Sequence, residues 1–245
     1  MDPRLNIIDK RLEKVKRIIA VSGGKGGIGK SITASALAMS LAKQNFKVGL
    51  LDLDFCGPSG HVILGIEDVY PVEEKGLIPP VVSGISFMSI IYFTGANPAP
   101  LRGSEVSNAI IELLAITQWH ELDFLIIDMP PGIGDPAMDT IRLVKRVEFL
   151  VVTTRSRVAL SVMKKELQVL QELGKPVVGV LENMKTGENT AVKDEAAMMG
   201  VPFLGSVDFD LDLENALGDM DRLWSSNFAG QLKQLMAPIN TNTLI

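Results

Sequence analysis

The 245-residue sequence has a single cysteine, Cys56, which rules out an intrachain disulfide and any zinc site built from several thiolates of one chain. A lone thiol also suits a reducing compartment. Histidine is nearly as scarce: His61 and His120 stand far apart, as a surface or packing pair would, and not at a metal-ligand spacing. Net charge is −5 and no run of five or more like charges occurs, so the electrostatic footprint that grips a phosphate backbone is missing. That excludes nucleic acid as a principal ligand. No apolar stretch approaches the roughly 18 to 20 residues that cross a bilayer, so stable membrane insertion is excluded too. Residues 1–16 carry alternating charges where a cleavable signal would need an apolar core of about 7 to 15 residues. The expectation is a cytoplasmic protein.

What is present is the material of a core, with 47% of residues hydrophobic and 22% charged, and residues 1–245 read as one domain. Short β-branched runs alternate with helical patterns from end to end, the mark of βαβ units around a mostly parallel, doubly wound α/β sheet flanked by helices. Strands are predicted at Arg17–Val21, Lys47–Asp52, Phe124–Asp128, Phe149–Thr153, Val177–Leu181 and Phe203–Ser206. Helices are predicted at Ser31–Gln44, Ser104–Trp119, Asp135–Arg146, Ala159–Leu173 and Val192–Met199. Leu5, Ile8, Leu12 and Val15 give residues 1–16 an amphipathic helical lead-in, either packed on the domain or serving as a partner-binding arm. Prolines at 71, 79, 80, 98 and 100 break the rhythm, and residues 70–100 read as an inserted hairpin or strand with loops. Residues 239–245 read as a frayed tail. Leu223–Met236 reads as one helix with Trp224, Phe228, Leu232 and Leu235; with only Arg222 and Lys233 as nearby cations, it packs on the domain and does not bind membrane.

The chemistry concentrates in three stretches. Gly24-Lys25-Gly26-Gly27-Ile28-Gly29-Lys30-Ser31 fits G-x-x-x-x-G-K-[ST], following a predicted strand and opening a predicted helix, and Gly23 precedes it. Such glycines let backbone N–H groups converge on phosphate oxygens at a helix N-terminus. Lys30 is then the cation for the β- and γ-phosphates of ATP, and Ser31 a ligand to Mg²⁺. The strand Phe124–Asp128 ends in a carboxylate followed by Met129-Pro130-Pro131-Gly132, making Asp128 a magnesium holder, usually through water, and Gly132 a sensor of the γ-phosphate. Asp52 and Asp54 follow the strand from Lys47, so all three carboxylates should reach the sheet edge that carries the glycine loop. Asp54, beyond the strand end, is the better placed to organise water or magnesium; helix or turn capping is the other role open to the pair.

Taken together, the loop Gly23–Ser31 with its early Lys25, Asp52-Leu53-Asp54 with Gly57-Pro58-Ser59, Arg102-Gly103, Ile127 to Asp135 and Glu182-Asn183-Met184 resemble the Mrp/ApbC-type P-loop ATPases. These belong to the MinD/ParA-like group, and the match runs from about Lys14 to Ser206. The resemblance implies a homodimer enclosing two ATP molecules, with Lys25 reaching the partner's nucleotide and Asn183 at the adenine. It also implies iron-sulfur cluster carriage or assembly, through a Cys-x-x-Cys pair soon after the Glu-Asn-Met segment. Here that place reads Lys185-Thr186-Gly187-Glu188-Asn189-Thr190, and no cysteine follows Cys56. Cys56 itself resembles a cysteine of eukaryotic scaffold members; a small buried hydrophobe and a metal ligand are its two possible roles. The sequence thus points to an ATP-hydrolysing dimeric switch that serves a metalloprotein or cluster scaffold without a stable cluster of its own. The alternative is a MinD/ParA-like positioning ATPase.

Overall fold

The computed structural model describes residues 4–55, 57–94, 104–188 and 190–240. Along the chain run α1 (Arg4–Leu12), β1 (Val15–Ser22), α2 (Lys30–Lys43), β2 (Val48–Asp52), α3 (Gly60–Leu64), β3 (Val72–Glu73), β4 (Leu77–Ile78), β5 (Val81–Val82), β6 (Ile85–Ser89), α4 (Ile91–Thr94) and α5 (Ser104–Ile116). Then come β7 (Leu122–Asp128), α6 (Asp135–Leu143), β8 (Val147–Thr153), α7 (Arg157–Glu172), β9 (Val177–Lys185), α8 (Ala191–Met198), β10 (Phe203–Asp208), α9 (Met220–Ser225), α10 (Asn227–Leu235) and α11 (Ala237–Asn240).

Eight of these strands form one sheet in the order β10-β9-β8-β1-β7-β2-β6-β5. Neighbours pair in parallel except the edge strand β5, which is antiparallel to β6. The two-residue alternation of strands sorts their side chains between two cores. Ile18, Ala20, Leu125, Ile127, Phe149 and Val151 face one core, with α1, α5, α6, α7 and α8. Ile19, Val21, Phe124, Ile126, Leu150 and Val152 face the other, with α2, α9 and α10. Helix α2 is buried nearly all round, from Thr33 to Leu41, because α9 and α10 cover the side turned away from the sheet. Its Ala- and Ser-rich sequence is what so enclosed a helix requires. Among the described residues no helix is long and apolar enough to cross a membrane.

Several elements depart from the sequence reading. Val15 begins β1, opposite Leu122, and α1 stops at Leu12. Residues 70–100 contribute a β3–β4 hairpin, but β6 enters the main sheet beside β2, with Ile85, Phe87 and Met88 fully buried. The helix predicted over Leu223–Met236 is two: Ser226 adopts extended backbone, and its hydroxyl caps α10 by accepting from the Ala229 N–H at 3.1 Å. Ile239, expected in a frayed tail, is buried, and its carbonyl accepts from Arg17 Nη1 at 2.6 Å. Arg17 in turn holds Glu148 through two bonds of 2.9 and 2.8 Å, so Ile239 is tied to β1 and β8. Residues 241–245 lie outside the described residues.

Candidate functional site

Strand β1 lies between β7 and β8, so its outgoing loop opens where successive connections leave the sheet in opposite directions. In open α/β sheets ligands bind outside the carboxyl ends of strands at such a point. Register aligns Val21 with Asp128 and Asp128 with Asp52, placing the ends of β1, β7 and β2 in one row. The loops leaving them are laced together. Met129 N–H donates to the Val21 carbonyl at 3.1 Å, Leu53 N–H to the Asp128 carbonyl at 2.9 Å, and Gly132 N–H to the Gly23 carbonyl at 3.1 Å.

Three of the loop's glycines are sterically required. A Cβ on Gly23 would stand 2.4 Å from Ile28 Cδ1 and 2.9 Å from the Val152 carbonyl oxygen, and one on Gly24 would stand 2.2 Å from Val162 Cγ1 on α7. Gly29 has φ +85°, left-handed backbone, and a Cβ there would fall 2.0 Å from Asn183 Nδ2. Asn183, 3% exposed on β9, donates that amide to the Ile28 carbonyl at 2.9 Å and so braces the loop from behind. Nothing stands within 4 Å of a Cβ built on Gly26 or Gly27. Between them and the sheet edge, Lys25 is exposed. No side chain caps the start of α2, so its first N–H groups are open to an anion.

At the first turn of α2 the Lys30 ammonium is buried among three oxygens: Asp128 Oδ1 at 2.5 Å, Ser31 Oγ at 3.3 Å and Asp54 Oδ2 at 3.7 Å. Asp128 keeps its other oxygen, Oδ2, buried and without a hydrogen-bond partner. Burial pushes its carboxyl upward, and Lys30 and the Ser31 hydroxyl pull it back down. Asp52, fully buried, accepts from the Asp54 N–H at 3.0 Å and the Gly60 N–H at 3.1 Å. Both of its oxygens thus fasten the segment leading into α3, while burial and the charge of Asp128 push its pKa up to about 7. Asp54 has no such backbone duty for Oδ2. Cys56, Arg102, Gly103 and Asn189 lie outside the described residues.

One buried acid beside the loop was not singled out from the sequence. Glu166, 3% exposed on α7, sits one helical turn beyond Val162 and next to the Ser22 hydroxyl that enters the loop. The signal was present: Ala159, Met163, Leu167 and Leu170 mark the apolar face of α7, and Glu166 falls on it. Burial raises its carboxyl to about 7, with the Ser22 hydroxyl acting the other way. Glu182 is likewise buried, and one of its oxygens accepts from Ser206 Oγ at 2.6 Å.

Comparisons with known proteins agree on one family and one fold. The ParA family model, described as NUBPL iron-transfer P-loop NTPase, matches residues 14–243. An iron-sulfur cluster carrier protein of Pseudomonas fragi is 41% identical over 177 residues, covering 71% of this chain and 62% of that one. One from Escherichia coli strain K12 is 42% identical over 173 residues, covering 69% and 47%. The chain therefore spans about half to three-fifths of the length of the curated relatives it matches. Among solved structures, a nucleotide-binding protein of Archaeoglobus fulgidus in complex with ADP superposes with a TM-score of 0.77 at 31% identity, covering 90% of this chain and 93% of that one. The cell-division ATPase MinD of Pyrococcus furiosus shares the fold, with a TM-score of 0.67, 21% identity and coverage of 92% and 98%.

Because the folded pKa of Glu166 lies above its ordinary 4.5, the native state binds its proton more tightly than the unfolded chain does. Its stabilising effect is complete below pH 4.5 and is lost as pH rises toward 7. Glu166→Gln is expected to remove this loss, so that urea unfolding of the variant at pH 8, compared with pH 4.5, declines less than wild type by on the order of 3 kcal/mol. An identical pH dependence in the two proteins would refute the assignment.

Proposed function

This chain belongs to the ParA-type family of NUBPL iron-transfer P-loop NTPases, and on that premise we propose that it is a cytoplasmic ATP-hydrolysing dimeric switch acting in iron-sulfur cluster assembly. The observation that carries the reading is the buried Lys30 ammonium, held on Asp128 inside a loop where Gly23, Gly24 and Gly29 admit no side chain. A lysine kept on carboxylates at the mouth of a helix N-terminus can transfer to phosphate oxygens when ATP enters, because the nucleotide brings more negative charge than the carboxylate it replaces.

The donors fit magnesium: Ser31 Oγ, Asp54 and the unpartnered Oδ2 of Asp128 are hard oxygens on one side of the loop. Ser31 would hold the ion directly and Asp128 through water, and the ion would supply charge neutralisation on the phosphates. The chain's own groups do the rest. N–H groups from Gly23 to Ser31, with Gly24, Gly26, Gly27, Ile28 and Gly29 between, cradle the phosphates. Asp54 orients the attacking water, and Gly132, hydrogen-bonded to Gly23, follows the γ-phosphate. Asn183 holds the loop in register for the base-bearing end of the nucleotide. Lys25, exposed at the tip of the loop, completes the site of a facing subunit.

The cluster is cargo in this reading. A [4Fe-4S] cluster is ordinarily held by four thiolates, and a symmetric dimer of these residues brings two, both Cys56. The missing ligands come from a metalloprotein or scaffold client.

Lys30→Ala is expected to lower magnesium-dependent ATP hydrolysis by about 10² to 10³, the usual cost of removing a charge that stabilises a phosphoryl transition state. Undiminished turnover would overturn the proposal. Lys25→Ala should keep most nucleotide binding while losing hydrolysis, and light scattering should find the wild type dimeric with ATP and less associated with ADP. A monomer in both states, with full activity in Lys25→Ala, would exclude the shared site. Anaerobic reconstitution with iron and sulfide, followed by desalting, should leave little protein-bound iron. About four irons per dimer with a charge-transfer band, lost in Cys56→Ser, would assign the cluster to this protein itself.

A further inference from the structure

At the opposite edge of the sheet from the glycine loop lies a cavity of about 780 Å³, where β2 and β7 begin. Strands of five to seven residues separate it from the loop, a distance of ~20 Å. The last turn of α1 and the segment after the β3–β4 hairpin close it from two sides, with Ile78, Val48 and Leu122 among its apolar lining and Trp119 in its wall.

Its charge runs against that of the whole chain. Lys10, Arg11, Lys14 and Lys47 line it with a single acid, Glu121, in a protein whose net charge is −5. Glu121 is already engaged, 3.7 Å from Lys47 Nζ. Arg11 is fixed without a carboxylate: Nε donates to the Ala115 carbonyl at 3.1 Å and Nη2 to the Lys75 carbonyl at 2.8 Å. These bonds orient the guanidinium and leave its charge uncompensated. Among the described residues, neither Lys10 nor Lys14 pairs with an acid, and both are exposed. Three uncompensated cations around one concavity with an apolar floor form a site complementary to an anion with an organic body. The volume falls in the range of small-molecule sites, roughly 300–1,000 Å³.

We propose that this amino-edge cavity is a second binding site, for a small polyanion bearing phosphate or carboxylate groups. Lys10 and Lys14 supply the mobile charges, the pinned Arg11 the fixed one, and the apolar wall beside Trp119 receives the carbon body. The site shares no residue with the glycine loop, so its occupancy does not depend on the reading of that loop.

Trp119 gives a local reporter. In a Trp224→Phe protein it is the sole indole, and its emission is titrated with citrate in one arm and pyrophosphate in the other, against sodium chloride at matched ionic strength. A saturable change is expected at millimolar concentration or below, at least tenfold weaker in Lys10→Glu/Lys14→Glu and unaltered by Lys30→Ala. The stronger arm identifies carboxylate or phosphate as the preferred group. No saturable change with either anion, a response that survives charge reversal, or one abolished by Lys30→Ala would each overturn the proposal. Both lysines are exposed, and circular dichroism verifies that the reversed variant and Lys30→Ala are folded.

Discussion

The contact between Lys30 and Asp128 is the constraint on which the carboxyl edge depends. A parallel sheet buried on both faces ends its strands in carboxylates that have little water to solvate them, and register sets Asp52 beside Asp128. Two such groups cannot both remain charged and unaided. The protein resolves the conflict in two ways. Asp52 is given backbone N–H groups, which fixes the path from β2 into α3, and Asp128 is given a cation. Removing that cation would leave a buried charge with nothing opposite it, a loss of about 3–5 kcal/mol in comparable buried pairs. Lys30 can reach its place only because Gly29 turns left-handed over the Asn183 amide, so β9 takes part in a site built mainly on β1, β2 and β7.

The parts of this arrangement that were legible in the sequence are those written locally. Runs such as Phe124-Leu125-Ile126-Ile127 are apolar on both faces, and that announces a covered parallel strand. The glycine and lysine spacing announces a phosphate loop wherever a strand precedes it and a helix follows. The errors fall where the deciding partner is remote. β6 looked like an insertion because its place in the sheet is set by pairing with β2, nearly forty residues earlier. Ile239 looked like tail because nothing nearby reveals that Arg17 is waiting for its carbonyl. Two misses were avoidable. Ser226 before an apolar run is a cap signal, and a glutamate at 166 on the buried stripe of α7 asks for explanation. The amino-edge cavity could not have been read at all, since its walls come from four separate stretches of chain.

The two ends of the sheet have opposite chemistry. At the carboxyl edge the carboxylates are buried and their cation is supplied by a single helix turn; at the amino edge lysines stand free over apolar floor. Strands β2 and β7 take part in both, beginning beside Lys47 and Leu122 and ending in Asp52 and Asp128. Neither strand has an exposed residue among its described positions, and that makes them rigid spacers between the two edges.

The strand order also bears on how the polypeptide is made. β1 and β2 emerge first but are not neighbours; β7 must slide between them, and Val15 meets Leu122 about a hundred residues later. At a synthesis rate of about 5–20 residues per second, the two strands spend about 5–20 seconds on the ribosome with no partner for their facing edges. Helix α2 can shelter one face of each in that interval, and α1 is the one helix of the other face already made; α5 is translated just ahead of β7, and α6, α7 and α8 follow it. The facing edges of β1 and β2 therefore stay unpaired through this stretch of synthesis.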